Sequence, residues 1–338
     1  MILSDLLSPR VDATWQLIRQ CGVEQVTSLL DGGEQDQRMF QSVGAHGAGS
    51  TLRPTSGDRA PWSEASIAAH LELYADHGFG VVAVEDTPPL DLVRLGRAGR
   101  DEELEHVAVQ IEAMGRLGIG ILCYNWMALS SWARTDIARS ARGGALVTAY
   151  RETDAAGRLA PDAPDVDDDE LWQGLEYFLS TMVPVAERAG VRLAMHPDDP
   201  PRPRVRGVAR IMSSVDAFRR LRQLDASSAN AITFCQGNFA LMDEDLPSLI
   251  EEFGPAIAFV HFRDVRGTAT DFEETFHDDG PTDMAACMRA YARIGFSGPM
   301  RPDHVPTMFG ESNAMPGYGT LGRLFALGYI RGLEQAAY

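Results

Sequence analysis

The chain has 338 residues, 45% hydrophobic and 23% charged, enough to bury a large core and outside the disordered, collagen-like and coiled-coil compositions. Its formal net charge of -18 argues against broad binding to nucleic acid or an anionic membrane, which need a positive surface field, and no run of eighteen apolar residues offers a membrane span. Four cysteines, Cys21, Cys123, Cys235 and Cys287, make no CxxC pair and are too scattered for a disulfide framework; with no basic leader in Met1–Arg10, a soluble cytoplasmic protein is the expectation.

In chain order, the apolar stretch Met1–Leu7 comes first, a weak strand by itself. Short β-rich runs follow at Gln25–Leu30, Gly80–Val84, Ile119–Tyr124, Arg192–His196, Ala231–Cys235, Ile257–Phe262 and Pro299–Arg301. Between them Glu64–His77, Asp101–Leu117, Glu170–Ala189, Ser214–Gln223, Leu246–Phe253 and Asp283–Ile294 carry apolar residues at three- and four-residue spacing and read as helices, with Thr320–Gln335 closing the series. This alternation is the signature of βα units around a parallel sheet. With Met1–Leu7 as an eighth strand it makes a (β/α)8 TIM barrel, one domain over 1–338, irregular at the N-terminal strand. An open doubly wound sheet is the rival, but no GxGxxG turn follows the first strand and no P-loop occurs. Two insertions interrupt the rhythm, Asp31–Pro61 and Ser130–Asp169. Both follow strand ends, and both are expected over the C-terminal face of the barrel, the first as a mobile cover.

Four potential metal ligands end four successive strands: His196, Cys235, His261 and Asp303. Adjacent parallel strands lie about 4.8 Å apart, so such side chains can converge on one ion. A lone strand-end histidine is more often structural and a lone cysteine more often a small buried hydrophobe; four in one register point to a metal. Two imidazoles, a thiolate and a carboxylate suit iron(II), manganese(II), cobalt(II) or zinc, and the sulfur argues against magnesium or calcium. His304 adjoins Asp303, and Tyr318 sits in the loop Pro316–Gly319 before the last helix; both can exchange protons beside a cation. Arg204, Arg206, Arg210, Arg263 and Arg301 lie near these features, where they read either as a locally positive pocket or as partners of the abundant carboxylates. Asp198 and Asp199 receive no role, while Pro197, Pro200, Pro201 and Pro203 stiffen the turn that carries them.

The segments His196-Pro197-Asp198-Asp199-Pro200-Pro201, Cys235 followed by Gly237, His261 with Arg263, and Arg301-Pro302-Asp303-His304 resemble the mannonate dehydratase family in order and spacing. The likeness extends to Cys123–Met127 with Trp132 and Arg134, to Phe272, Glu274 and His277, and to Gly317-Tyr318-Gly319 with Arg323, and it runs from about Trp62 to Gly332. The resemblance implies a barrel related to sugar isomerases, a divalent metal (Mn2+ or Fe2+, with Co2+ or Zn2+ as alternatives), and dehydration of a sugar acid, D-mannonate to 2-keto-3-deoxy-D-gluconate. It implies His196, Cys235, His261 and Asp303 as ligands, His304 and Tyr318 as the acid/base pair, and Asn125, Arg263, His277 and Arg301 as residues that hold the substrate. The expected partner is a small sugar acid, and the expected assembly a homo-oligomer.

The resemblance also has departures. The family's Arg-Trp pair near the N-terminus is absent, Arg202 stands where an aromatic is common, and Gln236-Gly237-Asn238 replaces a Thr-Gly-Ser run. An isomerase, epimerase or lyase of a modified sugar acid on the same metal site is therefore the alternative activity. A non-catalytic sugar-binding regulator is a third reading, opposed by the intact His304 and Tyr318.

Overall fold

The computed structural model describes residues 1–31, 60–155, 157, 165–242 and 245–338. Its strands, in chain order, are β1 (Ile2–Leu7), β2 (Gln25–Ser28), β3 (Gly80–Val84), β4 (Ile121–Asn125), β5 (Asp136–Ser140), β6 (Leu146–Arg151), β7 (Arg192–His196), β8 (Arg204–Val205), β9 (Val208–Ala209), β10 (Asn230–Cys235), β11 (Ile257–Phe262), β12 (Val265–Thr268), β13 (Asp271–Glu274) and β14 (Pro299–Pro302). Eight of them close a parallel barrel in the order β1-β14-β11-β10-β7-β4-β3-β2. The barrel closes through β1, which pairs with β14 on one side and β2 on the other. The expected irregularity there is corrected: β1 is regular, and the register shifts fall between β2 and β3 and between β10 and β11.

Sequence chemistry sets each helix on the barrel. Asp168–Ala189 starts at Asp167, whose side chain accepts from the Glu170 amide, and ends at Gly190, which adopts φ 69°. Its buried stripe, Leu171, Leu175, Phe178, Leu179, Met182, Val183 and Ala186, follows helical spacing and packs on the strands. Full burial of Phe178 contributes roughly 2–3 kcal/mol, and Phe178→Ala would cost about 3–5 kcal/mol. Val215–Leu224 and Met284–Arg293 begin in the same way at Ser214 and Asp283. No helix among the described residues is long and apolar enough to cross a membrane.

The segment Ser130–Asp169 contributes β5 and β6, which join β13 and β12 in a four-stranded antiparallel sheet. A bridge from Leu146 to Thr307 ties this sheet to the chain just beyond β14. It therefore sits beside the ends of the barrel strands. The other insertion, Asp31–Pro61, lies outside the described residues except for its first and last positions.

Candidate active site

Strand register brings the chemistry to one level. Asn125 stands opposite His196 across β4 and β7, Cys235 opposite His261 across β10 and β11, and His261 opposite Arg301 across β11 and β14. Ligand atoms of His196, Cys235 and His261 all lie within 4.8 Å of one another. His196 Nε2 is 3.2 Å from His261 Nδ1, and Asp303 Oδ2 is 3.8 Å from both His261 Nδ1 and Cys235 Sγ.

Hydrogen-bond accounting fixes several proton positions. His196 Nδ1 lies 2.7 Å from the Pro197 carbonyl, which only accepts, so Nδ1 carries the proton and Nε2 presents a lone pair to the cluster. His261 Nε2 faces Glu85 Oε1 at 3.4 Å. If Nε2 carries the His261 proton, two lone pairs meet at 3.2 Å; if Nδ1 carries it, a lone pair meets the Glu85 carboxylate. One further positive charge, a proton or a metal cation, resolves the conflict. The donor set, two imidazoles, a sulfur and a carboxylate, fits a borderline divalent ion.

Around this cluster runs a buried ion network. Arg301 grips Glu85 with Nε and one terminal nitrogen, at 3.0 and 2.7 Å, and reaches Asp303 Oδ1 at 3.0 Å. Arg263 pairs with Glu274 at 2.7 and 2.8 Å, with Asp199 at 2.9 Å and with Asp303 at 2.9 Å, and its Nε also donates to Cys235 Sγ at 3.4 Å. A Cβ at Gly237 would come within 2.8 Å of the Arg263 guanidinium, so only glycine lets the arginine lie there. Burial works to raise the Asp303 carboxyl, but His304, Arg301, His261 and Arg263 together hold it well below the usual carboxylate range. Burial is likewise outweighed at Glu85, held at about 2 mainly by Arg301.

His304 is buried, adopts φ 24°, and stacks on Trp132 with ring centroids 4.6 Å apart. Its Nδ1 lies 3.1 Å from Glu274 Oε1 and 3.0 Å from a terminal nitrogen of Arg134. That nitrogen has two hydrogens, already directed to Asp199 Oδ2 at 2.9 Å and Glu274 Oε1 at 2.5 Å. His304 Nδ1 is thus the donor to Glu274, and its Nε2 carries a lone pair. The Tyr318 ring stands edge-on to His304, with centroids 5.7 Å apart. Burial, reinforced by the charge of Asp303, pushes the Tyr318 hydroxyl above its ordinary value and keeps it protonated.

A cavity of about 540 Å³ opens over these groups, bordered by Asn125, His196, His261, Asp303, His304 and Tyr318, with Arg301 and Glu85 also in its wall. Asn125 Oδ1 accepts from the Met127 amide at 3.1 Å and from Arg94 at 3.3 Å. Two expectations need correction. Arg263 and His277 do not border the cavity: Arg263 is consumed by the buried carboxylates, and His277 packs behind β11 on the ring of Phe262. Arg301 borders the cavity, but its guanidinium is committed to Glu85 and Asp303. Of the other arginines, Arg210 is buried against Asp198 at 3.6 Å, and Arg204 is exposed.

Sequence reasoning gave no role to Glu85, Arg134, Asp199 or Glu274. Glu85 could have been found, since it directly follows a barrel strand. The others meet only through tertiary contacts, Arg134 with Asp199 and with Glu274 across 65 and 140 residues.

Comparison with known proteins adds an independent line. The family model described as D-mannonate dehydratase (UxuA) matches residues 33–162 and 158–338. A mannonate dehydratase of Enterococcus faecalis is 31% identical over 85% of this chain and 89% of its own length. The crystal structure of mannonate dehydratase from Streptococcus suis serotype 2 superposes with a TM-score of 0.85 at 27% identity, covering 100% of this chain and 95% of that one. An L-ribulose 3-epimerase structure shares the fold at a TM-score of 0.59 and 14% identity, covering 99% and 95% of the two chains.

Proposed function

The chain belongs to the mannonate dehydratase family and is a sugar-acid dehydratase; from that premise we propose that it converts D-mannonate to 2-keto-3-deoxy-D-gluconate, with His304 as base and Tyr318 as acid. The observation that carries this reading is the pairing, on one cavity wall, of an imidazole whose Nε2 lone pair is free for a proton with a tyrosine held protonated.

The family is metal-dependent, and His196, Cys235, His261 and Asp303 are the residues that would hold the ion. Manganese(II) or iron(II) suits the mixed donors, and such an ion would act as a Lewis acid toward the carboxylate and an adjoining hydroxyl, spreading the charge of the deprotonated substrate. The protein's own groups do the proton work. His304 Nε2 takes the hydrogen from C2. The electron pair left behind forms the C2–C3 double bond as the C3–O bond breaks, and Tyr318 protonates the departing hydroxyl so that it leaves as water. The resulting enol becomes the 2-keto acid by losing its hydroxyl proton and gaining one at C3. His304 now holds one proton and Tyr318 lacks one, so transfer between them restores the pair. Glu274 fixes the tautomer that makes His304 a base, and Asn125 is placed to meet a substrate hydroxyl.

The test is a screen of hexonic acids with added manganese, following 2-keto-3-deoxy acid formation. D-Mannonate should give that product. A sugar isomer or epimer in its place would replace the dehydratase reading with the alternative activity on the same scaffold.

A further inference from the structure

The cavity has two unlike halves. The half formed by the ends of β4, β7, β11 and β14 carries the ionisable cluster. The half formed by the ends of β1, β2 and β3 is walled by Leu7, Pro9, Leu29, Pro88, Pro89 and Leu90. Three of these are prolines, which offer no backbone donor.

The polar side chains on this second half are largely committed elsewhere. Asp12 caps the helix Ala13–Gln20 by accepting from the Thr14 amide. Asp86 receives the Leu30 amide on one oxygen and the Thr87 amide on the other. Asp91 takes the Leu129 amide and Arg94, and Arg323 is turned to Asp5 and the Leu6 carbonyl. Ser8 and Arg10 are exposed and stay hydrated, which leaves half-buried Thr87. A hydroxyl pressed against this wall gives up water and finds little in return, whereas a methyl gains from leaving water.

Size agrees. Pockets of about 300–1,000 Å³ hold drug-sized ligands, and a hexonate is smaller than those; a cavity of about 540 Å³ leaves the wall in reach of whatever projects beyond the reacting carbons. The carboxylate, C2 and C3 must sit at the ionisable half for the chemistry above, so the far end of the chain meets the apolar half. We propose that, among the aldonic acids it dehydrates, this enzyme prefers those ending in an apolar carbon, namely 6-deoxy sugar acids. The proposal rests on the dehydratase reading for the orientation of the acid.

The experiment compares D-mannonate with 6-deoxy-D-mannonate on the manganese-loaded enzyme, by turnover and by calorimetric affinity. A hydrophobic pocket discriminates against an added hydroxyl by up to about 100-fold. The 6-deoxy acid should therefore lead by about 10- to 100-fold in kcat/KM and bind more tightly. Leu29→Asn and Pro89→Ser, both at half-buried wall positions, should each draw the ratio toward one. Equal or better performance of D-mannonate in both readouts overturns the proposal, including the case in which another part of the chain covers the wall. Dehydration of both acids without preference overturns it while leaving the dehydratase reading intact. A binding preference for the 6-deoxy acid with no dehydration of either would instead sink that reading and support the apolar subsite.

Discussion

Replacing Glu274 by glutamine tests the arrangement that makes His304 a base. The side chain is 1% exposed and receives Arg263 at 2.7 and 2.8 Å, Arg134 at 2.5 Å and His304 Nδ1 at 3.1 Å. Glutamine keeps the shape but retains one acceptor oxygen, and its NH2 faces groups that are themselves donors. Two consequences follow. Leaving Arg134 and Arg263 short of a buried counter-charge should cost about 3–5 kcal/mol of stability. Loss of the acceptor behind His304 should lower kcat by about 10² to 10⁴, the upper figure being that for the equivalent carboxylate-to-amide change behind a catalytic histidine. KM should change little, because the lost function belongs to the transition state. Asp199→Asn is the control, since Asp199 holds the same two arginines but donates nothing to and accepts nothing from His304; it should match the stability loss with a smaller fall in kcat. Steady-state kinetics, metal content and thermal unfolding of both variants decide the matter. A Glu274→Gln enzyme with kcat within about threefold of the parent, against the 10² expected, would refute the proton assignment.

Cys235→Ser and His261→Ala should each lose bound metal by elemental analysis while retaining the circular dichroism of the fold; full occupancy in both would remove the ligand set. His304→Asn and Tyr318→Phe should each cost about 10² to 10⁴ in turnover, with the double variant little worse than either. Hydrogen exchange at C2 in deuterated solvent should vanish in His304→Asn, and its survival would give the base to another residue. Burial lowers His277 to about 4 from an ordinary value of 6.5, so the unfolded chain binds the extra proton first as pH falls. The stabilisation is complete above about pH 6.5 and is lost as pH drops toward 4, up to roughly 3 kcal/mol. His277→Gln should flatten that part of the stability profile without raising KM, and an unchanged acid slope would show that another group sets it.

The barrel was legible because parallel strands buried on both faces read as continuous apolar runs, and the four candidate ligands were legible because each ends such a run. The strand β1 was obscured by Ser4 and Asp5 in its middle. Their polarity is answered far away, by the Met300 carbonyl and by Arg323, and no local pattern reports that. The hairpin β12–β13 was missed for the same reason: Glu274 looks like a surface residue until Arg134 and Arg263 close on it. His277 and Arg263 have the residue types a pocket needs, but type does not disclose direction. Arg263 extends along the buried carboxylates and His277 turns behind β11, so neither meets the cavity.

The same long-range network explains why the site calls for a cation. Glu85, Asp199, Glu274 and Asp303 are four buried carboxylates held below their ordinary range, and Arg134, Arg263 and Arg301 are the three guanidiniums that answer them. One negative charge remains before the sulfur of Cys235 is counted. It lies where His196 and His261 present nitrogen atoms at 3.2 Å with a proton too few between them and Glu85. Below them the barrel is filled by Ala83, Cys123, Ala194, Ala231 and Ala258, small side chains that leave room for Phe259. The Phe259 ring meets His261 edge-on, with centroids 4.7 Å apart, and supports it from beneath. Packing thus restrains the imidazole while the charge deficit sets what it must meet. A cation placed there would complete a network that the arginines alone leave one charge short.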